Sequence, residues 1–497
     1  MTNRKIKVLF AVSECVPFLK TGGLADVAGS LPKYFDKDRY DVRVILPKYT
    51  CIPREYGEKM RYLTHFYTGF QFRDQYVGVL TTEADGVTFY FIDNESYFSG
   101  AWPYSDPSRD IEKFAFFSRA VLSALPLIGF QPDVLHCHDW QTALIPVYLN
   151  DYFQGSLFYR NMKTVLTIHN LKFQGIYNVS DFRNLTGLDA FYFTPDKLEY
   201  YGNGNMLKGG IVYADRITTV SESYKEEIQT DFYGEGLSGI LKAKRDRLFG
   251  IVNGIDTASY DPETDRALCR NYSVSDFPEG KAANKAEIQK DFGLKCDPSA
   301  FLIGIVSRLT DQKGFDLIER VMGEILSLPG VELIVLGTGE QRYEAMFRAY
   351  AEHYPDRVSA NIRYSESLSR RIYAASDAFL MPSLFEPCGL SQLLALRYGA
   401  LPIVRETGGL KDTVTPYNEY EGTGNGFSFT NYNAHDMLHV IEYAYSVYTN
   451  RPKEYRRLTE RAMRSDFSWK VSASKYERIY EELKAEKAKE DRKGELK

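Results

Sequence analysis

The segment from Ile6 to Phe35 constrains the fold more than any other part of the chain. Ile6–Val12 is a run of apolar residues, which is typical of a buried strand in a parallel sheet. Further along, apolar side chains recur at helical spacing, at Leu24, Val27, Ala28, Leu31 and Phe35. The stretch Lys20-Thr21-Gly22-Gly23 joins the two patterns. The segment therefore predicts a strand, a glycine turn and a helix.

The glycine turn has the chemistry of a phosphate or sugar site. Gly22 and Gly23 lack a Cβ, so the backbone there can approach a ligand closely. A helix start offers unpaired N–H groups and a partial positive charge, which suit a phosphate. Lys20 adds a full positive charge, and Asp26 can accept hydrogen bonds from sugar hydroxyls. An ordinary turn beside a solvated lysine fits the same residues, because short glycine motifs recur widely.

The length of the chain predicts more than one domain. A chain of 497 residues is too long for one ordinary core, so we expect two domains. The turn signal Asn253-Gly254 is followed by a polar stretch that contains Pro262, Pro278 and Gly280. We therefore place one domain at 1–250, a second at 260–470, and a C-terminal helix with a charged tail at 470–497.

Charge and cysteine usage restrict the partners and the compartment. The formal net charge of −5 is opposite in sign to the positive charge typical of nucleic-acid-binding proteins, so no nucleic-acid partner is expected. The six cysteines are scattered without a CxxC motif, which favours reduced thiols in a cytoplasmic protein. The first apolar run is too short for a signal peptide. No stretch is long enough to span a bilayer, and we expect no membrane partner.

Polar residues follow three predicted strands in the first half. Asp139 belongs to a polar cluster that ends a short predicted strand, and His169 with Asn170 and Ser221 follow two other predicted strands. Ligands of open α/β sheets bind beyond the carboxyl ends of the strands, so these residues are site candidates. For His169, a structural role at a strand end fits the same position. Residues 62–72 and 75–91 alternate in polarity and predict a hairpin-like insertion.

Two patterns suggest a metal site, and both have a better explanation. The first pattern is the run His136, Cys137, His138 and Asp139, which lies on a predicted strand. Neighbouring side chains of a strand point to opposite faces, which argues against a shared metal ion. The triplet Asp36-Lys37-Asp38 follows the first helix in a charged, turn-like stretch and is interpreted as a solvated loop.

Tyr201 lies in a loop rich in Tyr, Gly and Asn, which is either an aromatic platform for a sugar or an ordinary surface loop.

The second half repeats the pattern of strand, polar turn and helix. Arg308 and Lys313 follow the predicted strand Phe301–Val306, where both charges can meet one diphosphate. The alternative is two surface cations. Glu386 lies in the loop between a buried strand and a helix, where a carboxylate either caps the helix or faces a ligand. Thr407 and Gly408 follow another apolar run.

Seven motifs carry a resemblance to a known family. They are KTGGLADV at 20–27, HDW at 138–140, HN at 169–170, VNGID at 252–256, SRLTDQKG at 307–314, FEPCGL at 385–390 and ETGGL at 406–410. Together they resemble the bacterial glycogen synthases and plant starch synthases. The resemblance implies an α/β chain with the GT-B fold, in which two Rossmann-like, doubly wound domains flank an active-site cleft. It also implies retaining transfer of glucose from ADP-glucose to the non-reducing 4-hydroxyl of an α-1,4-glucan, without a metal or other cofactor.

The resemblance also implies roles for individual residues. Glu386, His169, Arg308 and Lys313 are the implied catalytic residues, and Asp139 and Tyr201 are implied on the sugar and acceptor side. The implied donor-binding residues are Lys20, Gly22, Gly23, Asp26, Asn253, Tyr364, Cys388, Gly389, Leu390, Thr407 and Gly408.

Several alternatives stay open at this point. UDP-glucose is the other possible donor, and retention can proceed through a covalent intermediate or by front-face attack. A glucan phosphorylase, a sucrose-type synthase and a glucan-binding scaffold are the rival functions. The sequence does not predict the oligomeric state.

Overall fold

The computed structural model describes residues 4–71 and 73–495, and it divides the chain into two compact units. The first unit contains the chain up to Val220, Lys225–Ile251, and the C-terminal segment from Trp469. The second unit contains Ser221–Tyr224 and Val252–Ser468. Each unit is an α/β layer structure built on a mainly parallel sheet, which confirms the predicted fold class.

The strands of the first unit alternate with helices along most of its length. In chain order they are β1 (Ile6–Ala11), β2 (Tyr40–Pro47), β3 (Arg61–Phe70), β4 (Arg73–Ala84), β5 (Val87–Asp93), β6 (Val134–His138), β7 (Lys163–Ile168), β8 (Ile176–Asn178), β9 (Glu199–Tyr200), β10 (Asn203–Asn205), β11 (Arg216–Thr219) and β12 (Leu248–Gly250). The main sheet has the order β12-β11-β7-β6-β1-β2-β5-β4-β3, and β8-β10-β9 form a small separate sheet.

Helices follow the chain up to Ile251 in the same alternation. They are α1 (Gly23–Ser30), α2 (Arg54–Gly57), α3 (Glu95–Phe98), α4 (Pro107–Ala124), α5 (Leu144–Tyr148), α6 (Val179–Thr186), α7 (Met206–Tyr213), α8 (Glu222–Glu227) and α9 (Ser238–Ala243). The apolar run that opens the chain becomes β1, whose side chains are almost fully buried between β2 and β6.

The predicted hairpin forms the antiparallel edge of the main sheet. β3 pairs with β4, and β4 pairs with β5. The second predicted segment is split by a turn at Asp85-Gly86, where both residues adopt positive φ. Phe72, at the end of the first predicted segment, lies outside the described residues.

The second unit holds a parallel sheet with the order β15-β14-β13-β16-β17-β18. Its strands are β13 (Phe301–Val306), β14 (Val331–Leu336), β15 (Val358–Asn361), β16 (Ala378–Met381), β17 (Leu401–Arg405) and β18 (Phe427–Phe429). Its helices are α10 (Phe277–Asp291), α11 (Phe315–Ser327), α12 (Gln341–His353), α13 (Glu366–Ala375), α14 (Ser391–Arg397), α15 (Gly408–Thr413), α16 (Ala434–Asn450) and α17 (Pro452–Arg464).

The last helix, α18 (Trp469–Glu495), belongs to the first unit. Its buried Tyr480 lies 5.7 Å from the ring of Phe35, measured between centroids, and its buried Tyr476 also faces the main sheet near His136. In the part of the chain that the structure describes, no helix is both long and apolar enough to cross a membrane. The last two residues of the predicted charged tail, 496 and 497, lie outside the described residues.

One buried ion pair joins three elements of the second unit. Lys285 on α10 donates to Asp377 at 2.7 Å, to the carbonyl of Ala300 at 2.5 Å and to the Tyr448 hydroxyl at 3.0 Å. The same Asp377 oxygen accepts from the backbone N–H of Leu302 at 2.9 Å, at the start of β13.

Replacement of Asp377 by alanine should therefore destabilise the protein strongly. It leaves the buried ammonium and the Leu302 N–H without their shared acceptor, which costs about 3–5 kcal/mol in the free energy of unfolding. Denaturant unfolding measures the loss. Glu319→Ala, which removes an ion pair on the exposed faces of α11 and α12, is the control and should leave the midpoint unchanged. Equal effects of the two substitutions would contradict the structural role of Asp377.

Candidate active site

In the first unit, the loop after β1 brings the predicted lysine and aspartate together. Lys20 Nζ lies 2.7 Å from Asp26 Oδ1, and both side chains remain partly exposed. Gly22 is the N-cap residue of α1 and has an extended backbone, which hydrogen-bonds to the Glu14 carboxyl. A Cβ at Gly22 would meet only ordinary contact, 3.6 Å from Glu14 Oε1. The pair lies beside the N-terminal end of α1, where an anion is favoured.

Glu14 shapes the same loop, and sequence reasoning did not identify it as a site residue. One Glu14 oxygen accepts from both the backbone N–H and the hydroxyl of Thr21, each at 2.5 Å. Burial raises the pKa of the Glu14 carboxyl above its usual value, although the Thr21 hydrogen bonds oppose the change. Beside it, the hydroxyls of Ser13 and Tyr104 lie 3.1 Å apart. The signal in the sequence that could have identified Glu14 is that this acidic residue interrupts an apolar run.

The carboxyl ends of β6 and β7 bring Asp139 and His169 together. Asp139 Oδ1 accepts from the backbone N–H of His169 at 2.7 Å and from that of Asn170 at 3.4 Å. Asp139 has a φ of 56° and a ψ of −172°, a backbone conformation found almost only in glycine, so the surrounding structure must hold it in place. Burial raises the pKa of Asp139 to about 7. Burial lowers the pKa of His169 to about 3, so this imidazole is neutral at physiological pH.

Histidines also lie beneath this strand-end site. His138 Nδ1 lies 3.0 Å from His169 Nε2, and His136 is stacked on the other side of His138. Within residues 4–71 and 73–495, no group of three or more His, Cys, Asp or Glu side chains is arranged to hold a metal ion.

In the second unit, an ion pair joins the loop after β13 to the loop after β16. Lys313 Nζ lies 2.6 Å from Glu386 Oε2, and their side chains are 15% and 8% exposed. The Ser383 hydroxyl donates to the same oxygen at 3.1 Å. Because β13 and β16 are parallel neighbours, their carboxyl ends place these residues side by side. Glu386 lies in the loop that enters α14, as the sequence predicts.

Backbone packing fixes the position of the Glu386 loop. The Gly409 N–H donates to the Glu386 carbonyl at 3.1 Å, which joins the start of α15 to this loop. Gly408 has a φ of +45°, and a Cβ there would lie 2.0 Å from the Glu386 carbonyl oxygen. Arg405, which sequence reasoning missed, is buried at the end of β17 and donates to the carbonyls of Ser383 and Leu384.

The remaining motif residues lie beside this loop. Gly389 has a φ of +72°, and a Cβ there would lie 2.3 Å from the side chain of Gln392. The neighbouring Cys388 thiol is buried, which raises its pKa to about 12, and the backbone of Asn253 hydrogen-bonds to it. Leu390 is the N-cap residue of α14, and Thr407 is the buried N-cap residue of α15.

Three predicted residues are not joined to these clusters. Arg308 is exposed just after β13, and Tyr364 is 75% exposed before α13. Tyr201 is 79% exposed and contacts the ring of Tyr200. Within the described residues of the second unit, no hydrogen bond or ion pair connects Arg308 or Tyr364 to Lys313 or Glu386. In the first unit, none connects Tyr201 to Asp139 or His169 among the described residues.

Gly408→Ala should destabilise the protein more than backbone strain alone explains. The new methyl group would overlap the Glu386 carbonyl, so the loss in the free energy of unfolding should exceed about 3 kcal/mol. Gly422→Ala is a matched control, since Gly422 has a φ of +64° and open space around it. The control should cost about 1 kcal/mol. Equal losses in denaturant unfolding would show that the close approach at Gly408 is unimportant.

Asp139 should make stability depend on pH. Its pKa is raised in the folded state, so between about pH 4 and pH 7 the folded protein holds a proton that the unfolded chain has lost. Stability from this group is therefore lost as pH rises through that window. Asp139→Asn keeps the acceptor oxygen and removes the titration. Relative to the parent protein, the variant should gain roughly 2 kcal/mol from pH 4 to pH 8, a value reduced for partial exposure. A difference in the free energy of unfolding between variant and parent that stays constant from pH 4 to pH 8 would contradict this.

Family models match both units of the chain. Residues 7–243 match the model described as the starch synthase catalytic domain, and residues 287–464 match the model for glycosyl transferases group 1. The chain is similar over 476 residues to a glycogen synthase of Lachnospira eligens, with 62% identity, covering 96% of this chain and 99% of that protein. A glycogen synthase of Lachnoclostridium phytofermentans is 57% identical over 477 residues, covering 96% and 100%.

A solved structure has the same fold over nearly the whole length. It is the catalytic domain of starch synthase IV from Arabidopsis thaliana bound to ADP and acarbose, and it matches with a TM-score of 0.90. The two chains are 33% identical, and the match covers 97% of this chain and 99% of that one. The GT-B architecture predicted from the motifs is thereby confirmed for both Rossmann-like units. This chain belongs to the glycogen and starch synthase family of glycosyltransferases.

Proposed function

We propose that this enzyme transfers glucose from ADP-glucose to the 4-hydroxyl at the non-reducing end of an α-1,4-glucan, with retention at the anomeric carbon. The similarity to glycogen synthases over almost the full chain supports this reaction. The observation that carries the chemistry is the buried Lys313–Glu386 pair, with its N···O distance of 2.6 Å, at the carboxyl ends of β13 and β16. It places a cation and a carboxylate side by side, as cleavage of a sugar–phosphate bond requires.

The second unit is proposed to hold the nucleotide diphosphate. Bond cleavage leaves negative charge on ADP, which Lys313 and Arg308 would stabilise. Thr407 and Gly408, at the start of α15, lie next to the Glu386 loop and would approach the distal phosphate. Charge fixed in place before the reaction is usually the largest catalytic contribution. These cations make a metal unnecessary in the proposed mechanism, and no other cofactor is proposed.

Glu386 is proposed to act on the transferred sugar. Its buried carboxylate would stabilise the positive charge that develops at the anomeric carbon, or orient the glucose for attack. Cys388, Gly389 and Leu390, which follow it in the same loop, would line the sugar site with Asn253. The exposed ring of Tyr364 would stack on the adenine base.

The first unit is proposed to bind sugar and diphosphate groups at its own strand ends. Lys20, Gly22 and Gly23 would face the donor diphosphate and its glucose, with Asp26 beside them. Asp139 and His169 would contact the transferred glucose, and the exposed ring of Tyr201 would support the acceptor glucan.

We also propose that the enzyme works in the cytoplasm without a nucleic-acid or membrane partner. The six cysteines are all free thiols in the structure, and Cys15, Cys137 and Cys388 are buried. Free thiols suit a reducing compartment.

Glu386→Gln should abolish glucosyl transfer while ADP still binds. The amide has nearly the same shape but carries no charge, so we expect kcat to fall by about 100-fold or more. Glucose incorporation measures transfer, and calorimetry measures the Kd of ADP. Glu319→Gln, on the exposed face of α11, is the control and should retain parent activity. Parent-like turnover of Glu386→Gln would exclude the catalytic role.

A comparison of labelled ADP-glucose and UDP-glucose, each with a glycogen primer, tests the reaction itself. We expect preferential incorporation from ADP-glucose, and EDTA should leave the rate unchanged because Arg308 and Lys313 supply the positive charge. Incorporation from neither donor would favour a glucan-binding scaffold. A near-ultraviolet absorption band of bound pyridoxal phosphate would favour a phosphorylase instead. A strong loss of rate in EDTA would contradict the metal-free mechanism.

A further inference from the structure

Three histidine rings lie in a row beneath the proposed sugar site. The ring centroids of His136 and His138 lie 4.3 Å apart with an interplanar angle of 27°. Those of His138 and His169 lie 5.3 Å apart at 25°. His136 and His138 are fully buried on β6, and His169 follows the neighbouring strand β7. Such a row of rings inside a core requires an explanation, because each ring brings two polar nitrogens away from water.

The hydrogen bonds differ between the two buried rings. Both nitrogens of His136 have partners, since Nδ1 lies 2.7 Å from the Tyr480 hydroxyl and Nε2 lies 2.6 Å from the Thr167 hydroxyl. The ring of His138 has only one hydrogen-bond partner among the described residues, His169 Nε2 at 3.0 Å from its Nδ1. His138 Nε2 is buried without a hydrogen bond. The rings of His136 and Phe10 pack against His138, with interplanar angles of 27° and 39°. Neither ring therefore offers Nε2 an acceptor in the plane of the His138 ring.

This asymmetry determines which nitrogens carry hydrogen. A neutral imidazole has one N–H and one acceptor nitrogen, so one of the two rings must donate across the 3.0 Å contact. If His169 donated, the hydrogen of His138 would lie on the partnerless Nε2. A buried N–H without an acceptor is rare and costly, whereas an unused acceptor is better tolerated. His138 therefore donates from Nδ1, and His169 accepts at Nε2.

We propose that His138 is a positioning residue that holds His169 in the tautomer with hydrogen on Nδ1, so that His169 presents an N–H donor to a sugar oxygen. The proposal rests on the proposed function for the contact between His169 and glucose. Burial keeps both rings neutral, because it lowers the pKa of each imidazole. The other tautomer would present only an acceptor at Nδ1 and would favour a different partner.

Two substitutions at His138 separate positioning from packing. In His138→Asn the side-chain amide can place an N–H close to the position of Nδ1, whereas His138→Leu fills the space without a donor. We expect kcat to fall about 10- to 100-fold in the leucine variant and to stay within about threefold of the parent in the asparagine variant. In a His169→Ala background, His138→Leu should cause no further loss. Equal losses in both variants, or additive losses in the double variant, would contradict the proposal.

Nitrogen-15 NMR of the unsubstituted protein tests the tautomer without an activity assay. The chain has seven histidines, and His138→Asn and His169→Asn identify the signals by their disappearance. We expect His169 to show a protonated Nδ1 and an unprotonated Nε2 at pH 7. A protonated Nε2 on His169 would overturn the proposal even if the enzyme is fully active. The expected tautomer in a protein without glucosyl transfer would instead overturn only the proposed function.

Discussion

The buried ion pair between Lys313 and Glu386 is the interaction on which the second unit's site depends. Removal of two charges from water is costly, and their attraction compensates only when the geometry is good and the remaining lone pairs are satisfied. Here the distance is 2.6 Å, and the Ser383 hydroxyl donates to the same carboxylate oxygen. An anion that reached Lys313 would therefore compete with Glu386 for its hydrogen bonds.

Side chains that bind backbone groups hold the strand-end loops of both units. In the second unit, the Arg405 guanidinium donates to two carbonyls of the loop before Glu386. In the first, Glu14 accepts from the backbone of Thr21, and Asp139 accepts from the backbone of His169. Such bonds satisfy polar groups that irregular backbone would otherwise leave unpaired. Charged residues in these loops therefore stabilise the loop backbone and also position the neighbouring reactive groups.

The sequence predicted the elements better than it predicted the contacts. The run Ile6–Val12 and the turn after it predicted β1 and α1, because burial and glycine leave a local pattern. Lys313 and Glu386 were predicted only as separate residues near strand ends. Their pairing depends on the adjacency of β13 and β16, which the strand order sets and local pattern does not encode. Glu14 and Arg405 were missed because a single charged residue beside an apolar run has no periodicity to detect.

A crystal structure of the enzyme with ADP would show whether the Lys313–Glu386 pair is a prepared binding site for the leaving diphosphate. We expect diphosphate oxygens within hydrogen-bond distance of Lys313 Nζ and the Arg308 guanidinium, with Glu386 left facing the position of the sugar. This expectation would be contradicted by a diphosphate bound elsewhere while Lys313 remains bonded to Glu386 alone.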